Sequence, residues 1–406
     1  MMESNSMDPV LIVSPWYKGS IGGVARIAGQ LLHGLSKAGV KSYLIVTCEE
    51  KPESASQDME SNVWYFQIPS YAFYRLNPKA IVMMFLRGAI AFWRLFSFIR
   101  KHDIRTVIIP FPRADVWAFV LLRCIYRLRL ITSCEGNDIT RFKSHSALHQ
   151  WIIRRGLKSS DVVLVCAEHL GTKAIQITGN PSLPIHHIPN CADVNYFVPA
   201  PHRSSRSNGR TTLVHVSTFV PKKRTLDIIE GFAQAQIPAD TRLIMVGAGQ
   251  ELEATIERSR ALGLGNRVEF VGQQQDVRPY LWEADIFVLA SDDEGAPLAL
   301  VEAMACGLPW ISTPWGPAAD LPNGECGLVV PIGSIRHLAE AMTQLVNDSA
   351  QRRSAMGARG RTYAEREFSE AEYIRRHLEV IFPTRGSGNL NDNVIATASN
   401  AVGTGH

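Results

Sequence analysis

Two glutamates, Glu294 and Glu302, flank the run Gly295-Ala296-Pro297-Leu298-Ala299-Leu300-Val301. The apolar stretch Asp285–Ala290 precedes them, and a second apolar run ends near Gly307, so the pattern reads strand, glycine-bearing loop, helix. Pro297 fits the first turn of that helix, where the N–H it lacks has no intrahelical partner. Backbone N–H groups and the helix dipole at such a start attract an anion, and a diphosphate is the natural guest. Two carboxylates flanking an anion site are not phosphate ligands. As hydrogen-bond acceptors they suit the vicinal diols of a sugar and of a ribose. A pair of glutamates alone would read as a solvated helix face; the Gly-Ala-Pro after a strand carries the chemical reading.

The elements that must position this pair recur along the chain. Short Val/Ile/Leu runs at Val10–Ser14, Ser42–Thr47, Thr106–Pro110, Leu128–Thr132 and Asp161–Cys166 alternate with helix-length segments. A second series follows at Thr212–Val216, Arg242–Val246, Arg267–Val271, Asp285–Ala290 and Trp310–Thr313. Near-continuous apolar runs suit parallel strands buried on both faces, and the alternation predicts two doubly wound α/β domains. Pro199–Arg210, reading PAPHRSSRSNGR, is the expected linker. The expected division is 1–198, linker 199–210, 211–366, a C-terminal helix 367–384 returning to the first domain, and a disordered tail 385–406. Open α/β sheets bind ligands at the carboxyl ends of their strands, so a cleft between two such domains is the expected site.

Composition excludes a disordered or fibrous chain: of 406 residues 46% are hydrophobic and 20% charged. Met1–Pro9 is polar and Val10–Val13 is too short for a signal sequence, so a cytoplasmic protein is expected. Seven cysteines without CxxC spacing suggest neither disulfides nor zinc. No His/Asp/Glu cluster has ligand spacing and Asp292-Asp293 is adjacent rather than alternating, so no metal is expected. The net charge of +4 hides an asymmetry, +8 for residues 1–200 and −4 for 201–406. Tyr71–Lys158 holds 16 basic and 4 acidic residues, which calls for an anionic partner. Within it Lys79–Lys101 is strongly apolar, with Arg87, Arg94 and Lys101 spaced by seven. Those charges oppose a transmembrane span. A basic amphipathic helix on an anionic membrane and a core helix with a solvated edge both remain open.

The Glu294–Glu302 segment resembles the matching stretch of retaining glycosyltransferase family four, whose GT-B fold sets two Rossmann-like domains face to face. The resemblance runs from Ser14 to about Phe382 and is most specific between Thr212 and Pro331. It implies that Glu294 contacts the donor sugar, that Glu302 contacts the nucleotide ribose, and that the backbone N–H groups around Ala296–Leu298 hold the sugar and the distal phosphate beside Gly295 and the Pro297 ring. Val216-Ser217-Thr218-Phe219-Val220-Pro221-Lys222-Lys223 resembles the family's donor loop, with Lys223 as its phosphate-binding lysine. Thr218 replaces the usual arginine, for which Arg224 or Lys222 could compensate. Gly247 and Val277 correspond to nucleotide-side positions, Val277 near the base. Gly22 and Gly23, in the loop Gly19–Val24, correspond to the turn beside the diphosphate and the acceptor. Glu135-Gly136-Asn137-Asp138 stands where the family has His-Gly-x-Asp, which makes Glu135 a catalytic candidate in place of histidine. Asn190-Cys191-Ala192-Asp193 resembles a structural turn at the domain junction.

The expected activity is therefore transfer of a sugar, with retention and without metal or cofactor, from a UDP- or GDP-sugar to a lipid-linked or oligosaccharide acceptor. Cell-surface polysaccharide synthesis, peripheral to the inner membrane face, is the expected setting; nucleic acid is not an expected partner. Thr218 and Glu135 also allow a catalytically silent nucleotide-sugar-binding subunit. A nicotinamide oxidoreductase is disfavoured because no strand leads into a full G-x-G-x-x-G.

Overall fold

The structure, a computed structural model, describes residues 7–15, 23–47, 62–66, 68, 78–201 and 210–383. Gly22, most of the 199–210 linker and the tail from 385 lie outside the described residues. Two compact units divide the chain: one takes the described residues up to Pro189 and those from Tyr373 onward, the other is Asn190–Glu372.

In the first unit seven strands form a parallel sheet: β1 (Val10–Ser14), β2 (Ser42–Val46), β3 (Val63–Tyr65), β4 (Thr106–Pro110), β5 (Arg129–Cys134), β6 (Val162–Val165) and β7 (Ile185–His187). Their order is β3-β2-β1-β4-β5-β6-β7, with Ile12 paired to both Leu44 and Ile108 at the centre. Every residue of β1, β2 and β4 is buried, which explains their uninterrupted apolar sequence. The second unit has β8 (Thr212–Val216), β9 (Arg242–Val246), β10 (Val268–Gly272), β11 (Ile286–Leu289), β12 (Trp310–Ser312) and β13 (Gly327–Val329). They run β10-β9-β8-β11-β12-β13, so strand order reverses between β8 and β11. Alternate residues feed two cores: Leu213, Ile286 and Val288 pack with Phe232 and Met342, whereas Val214, Phe287 and Leu289 pack with Met304 and Trp310. Both units are therefore Rossmann-like.

Ten of these strands lie at the apolar runs. The other three, β3, β7 and β13, are each three residues long and end a sheet. Such a segment is too short to display either period.

The division between units departs from the composition-based one. It falls at Pro189–Asn190, not at the 199–210 linker. Val194 and Phe197 are already buried with Phe287, Ala303 and Met304 of the second unit. Trp282 Nε1 donates to the Val198 carbonyl at 2.7 Å, and Arg361 Nη1 to that of Phe197 at 2.5 Å. Polar composition marks a segment without packing partners; it does not mark where packing changes from one core to the next. At the far end the change comes between Glu372 and Tyr373, within the helix Glu370–Ile381, rather than at 366–367. Ile374 of that helix covers Gly34, where an added Cβ would lie 2.3 Å from the isoleucine, and Arg129 Nη1 donates to the Ile381 carbonyl at 2.7 Å.

Candidate active site

The reversal of strand order beside β8 and β11 opens a crevice at their carboxyl ends. Both loops that leave these ends carry charged residues. After β8 the chain makes the short 3-10 turn Pro221–Lys223, and Arg224 follows in the left-handed region at φ 50°. After β11 comes the loop through Asp292 and Glu294. Lys223 Nζ donates to Glu294 Oε1, and both side chains are largely buried. Two further links tie the loops together. Asp292 N donates to the Lys222 carbonyl at 2.7 Å, and Arg224 Nη1 donates to Asp292 Oδ1 at 3.0 Å. Arg224 also binds Asp227 through Nε at 2.7 Å. Two carboxylates thus hold its guanidinium between the two loops.

The helix after Glu294 spans Leu298–Ala305, and Pro297 stands at its cap with φ −74° and ψ 87° rather than inside the first turn. The Pro297 carbonyl accepts from Leu300 N at 2.9 Å. The N–H groups at this end are the ones a helix leaves without intrahelical acceptors. Gly316, at φ 55°, lies against the proline ring: a Cβ there would be 2.7 Å from Pro297 Cδ. Glu302 is buried within the helix, on the same element as the anion-attracting end.

Gly247 closes the β8 side. Its φ is 139°, and a Cβ would lie 1.8 Å from the Ser217 carbonyl oxygen. Only glycine lets the loop after β9 meet the loop after β8, where Phe219 N donates to the Ala248 carbonyl at 2.9 Å. Thr218 is exposed. Val277 precedes the helix Arg278–Glu283, and its side chain packs against the core around Phe287.

His215, in β8, is a participant that the sequence reading missed. It is fully buried; Nδ1 lies 2.9 Å from the Val288 carbonyl oxygen and Nε2 lies 2.7 Å from Ser217 Oγ. A carbonyl can only accept, so Nδ1 carries the proton and Nε2 accepts from the Ser217 hydroxyl. Burial lowers its pKa to about 4; the nearby Lys223 charge adds to this, while the Val288 carbonyl and Glu294 oppose it. The ring is neutral at pH 7 and pins β8 to β11 directly beneath the two loops. The only signal for it was a histidine inside an otherwise apolar strand.

In the first unit Glu135 follows β5 and accepts from Ser133 Oγ at 2.6 Å. The carboxylate of Asp138 accepts from Gly136 N at 2.7 Å and from Glu135 N at 3.1 Å, holding a turn in which Gly136 has φ 130°. Burial raises the Asp138 pKa to about 7, with the Glu135 charge adding and the backbone donors opposing. Asp115, beyond β4, is also buried and accepts from Thr47 Oγ1 at 2.6 Å; burial raises its pKa. Asp115 had no signal in the sequence beyond its position after a strand, whereas Asp138 closes the Glu135-Gly136-Asn137-Asp138 motif. Gly23 opens the helix Gly23–Lys37. Among the described residues no three His, Cys, Asp or Glu side chains are grouped to hold a metal.

Comparison with known proteins also divides the chain in two, with the change between residues 196 and 210. Residues 21–196 match the family described as Glycosyltransferase Family 4, and residues 210–348 match the one described as Glycosyl transferases group 1. Among curated relatives, the N-acetyl-alpha-D-glucosaminyl L-malate synthase of Bacillus anthracis is 28% identical over 262 residues, covering 63% of this chain and 68% of its own. A GDP-mannose-dependent monoacylated alpha-(1-6)-phosphatidylinositol monomannoside mannosyltransferase of Corynebacterium glutamicum is 34% identical over 201 residues, covering 45% of this chain and 52% of its own. The chain therefore spans about half the length of that second relative. Among solved structures, Anabaena Alr3699/HepE in complex with UDP superposes with a TM-score of 0.74 at 18% identity, covering 92% of this chain and 99% of that one. Since both halves match in the order in which the two Rossmann-like units follow each other, this chain belongs to glycosyltransferase family 4, the group 1 glycosyltransferases of GT-B fold.

Proposed function

We propose that the chain transfers a sugar, with retention of anomeric configuration and without metal or bound cofactor, from a nucleoside-diphosphate sugar to a hydroxyl of a lipid-linked or oligosaccharide acceptor. The observation that carries this reading is the Lys223–Glu294 pair at the β8–β11 reversal, ahead of the helix Leu298–Ala305. In the reaction the bond from the anomeric carbon to the phosphate oxygen breaks, and its electron pair leaves with the diphosphate. Lys223 and the N–H groups at Leu298 stabilise that charge. Glu294 accepts from a sugar hydroxyl and Glu302 from the ribose. The acceptor oxygen bonds to the anomeric carbon on the face that the diphosphate leaves, and a diphosphate oxygen takes its proton. Glu135 orients the acceptor.

The relatives support a nucleotide-sugar donor without fixing its base, since one is named for GDP-mannose and a solved structure holds UDP. The name of the Corynebacterium glutamicum relative also favours a glycolipid acceptor. The test is turnover of UDP- and GDP-sugars by the wild type and by Glu294→Gln and Lys223→Ala. Loss of turnover in both variants, with folding intact, is expected; unchanged rates would sink the assignment.

A further inference from the structure

The helix Pro78–Lys101 has two faces. Ala91, Leu95, Phe98 and Ile99 are buried in the core of the first unit. On the opposite side Leu86, Ile90 and Trp93, at helical spacing, are 52%, 58% and 62% exposed. Arg87, Arg94 and Lys101 run along one border of this apolar stripe, all exposed. Along the other border a chain of rings leads away: Trp93 meets Phe96 edge-on at 5.6 Å, and Phe96 meets Tyr126 at 6.4 Å. Tyr126 ends the helix Val116–Ile125, whose Leu121 and Ile125 are also at least half exposed. Five large apolar side chains on two helices therefore face solvent, linked by aromatic rings. Isolated exposed hydrophobics need no explanation, but a connected group of this kind does.

Charge decides what covers it. From residue 61 to residue 102 the sequence contains no Asp or Glu. The cations bordering the two helices are Arg87, Arg94, Arg100, Lys101, Arg105 and Arg127. Of the carboxylates near them, Asp103 is paired with Arg105 at 2.8 Å, Asp161 is paired with Arg123 at 2.6 Å, and Asp115 is buried. A second copy of the same face would set these cations against their own kind. An anionic bilayer neutralises them, while its interfacial zone accepts Trp93 and the aliphatic side chains. No helix among the described residues is long and apolar enough to cross a membrane, so the contact lies in the plane of the surface.

We propose that Leu86, Ile90 and Trp93, with Leu121 and Ile125 of the adjoining helix, form an in-plane docking face for an anionic membrane. This rests on the reading of a lipid-linked acceptor and adds the surface that would bring the first unit to it. The face is larger than the Lys79–Lys101 segment alone, because the ring chain recruits the second helix.

The test is sedimentation of the full chain with vesicles of equimolar phosphatidylglycerol and phosphatidylcholine, against vesicles of phosphatidylcholine alone. Binding to the anionic vesicles that weakens with salt is expected. The double variant Ile90→Glu/Trp93→Glu should lose about tenfold or more of it, and Arg87→Glu/Arg94→Glu should abolish the preference for anionic lipid. All these residues are exposed, so the melting temperature should hold. Equal binding by wild type and variants would overturn the proposal. So would a concentration-dependent dimer that dissociates in the double variant, which would make the face a self-interface. Donor turnover with a water-soluble acceptor should not change in either variant. If the wild type binds vesicles but turns over no nucleotide sugar, the transferase reading fails and the docking face stands; the reverse result leaves the transferase without this face.

Discussion

Lys223 and Glu294 are 71 positions apart in the chain, yet their side chains form one ion pair over the reversal of the second sheet. Each neutralises the other, in a place where both side chains are largely buried. Removing one charge strands the other, at a cost of about 3 kcal/mol, whereas removing both does not. Lys223→Met should therefore destabilise the second unit in urea titration, and Lys223→Met/Glu294→Gln should recover most of that loss. Neither variant should recover donor turnover. Stability regained without activity would separate the pair's structural role from its chemical one.

Gly247→Ala is expected to be as damaging as a site variant although it carries no functional group. The new Cβ would lie against the Ser217 carbonyl oxygen at a backbone angle that alanine avoids, a strain of about 1–3 kcal/mol. The readouts are the urea midpoint and calorimetric binding of UDP and GDP. Weaker nucleotide binding should accompany the lower midpoint, because the β8 and β9 loops move together. An alanine variant with the wild-type midpoint would show that the loops are not in contact.

The two buried titratable groups predict opposite pH slopes. His215, at about 4 in the fold against 6.5 in the unfolded chain, leaves the unfolded state holding more protons between those values. Its contribution to stability is complete above pH 6.5 and is lost on acidification toward pH 4. Asp138 is raised to about 7 from 3.8, so the folded state holds the extra proton, and stability falls as pH rises from about 4 to about 7. Each group contributes up to about 1.4 kcal/mol per pH unit. His377, buried in the first unit and also lowered to about 4, adds to the His215 direction.

Differential unfolding measures these slopes. His215→Asn should flatten the acid-side loss of stability, and Asp138→Asn should steepen the rise in stability between pH 4 and 6.5. A histidine variant whose pH profile matches the wild type would place the ring proton elsewhere.

Much of this was legible in the sequence because long central strands advertise themselves. Val10–Ser14 and Thr212–Val216 are buried on both faces, and their residue types say so. Glu294, the Pro297 helix start and Lys223 were legible because loop, proline and charge occur in a fixed order after a strand. Three kinds of feature were hidden. Edge strands such as Val63–Tyr65 are too short to carry a period. The change of unit at Asn190 depends on which core receives Phe197, a long-range fact without a local signature. His215 and Asp115 take their importance from burial and from partners on neighbouring strands and loops, and residue type alone reports neither.

The way Ile374 closes over Gly34 has a consequence for biosynthesis. The second unit is one uninterrupted segment, Asn190–Glu372, whereas the first is assembled from both sides of it. On a ribosome the later-made unit holds all its residues first and can fold to completion, while the earlier-made one waits for a helix some two hundred residues downstream. Until that helix emerges, the groove at Gly34 and the Arg129 side chain have no cover, and chaperones have their longest opportunity there. Synthesis of that helix, and not of the first sheet, completes the first unit.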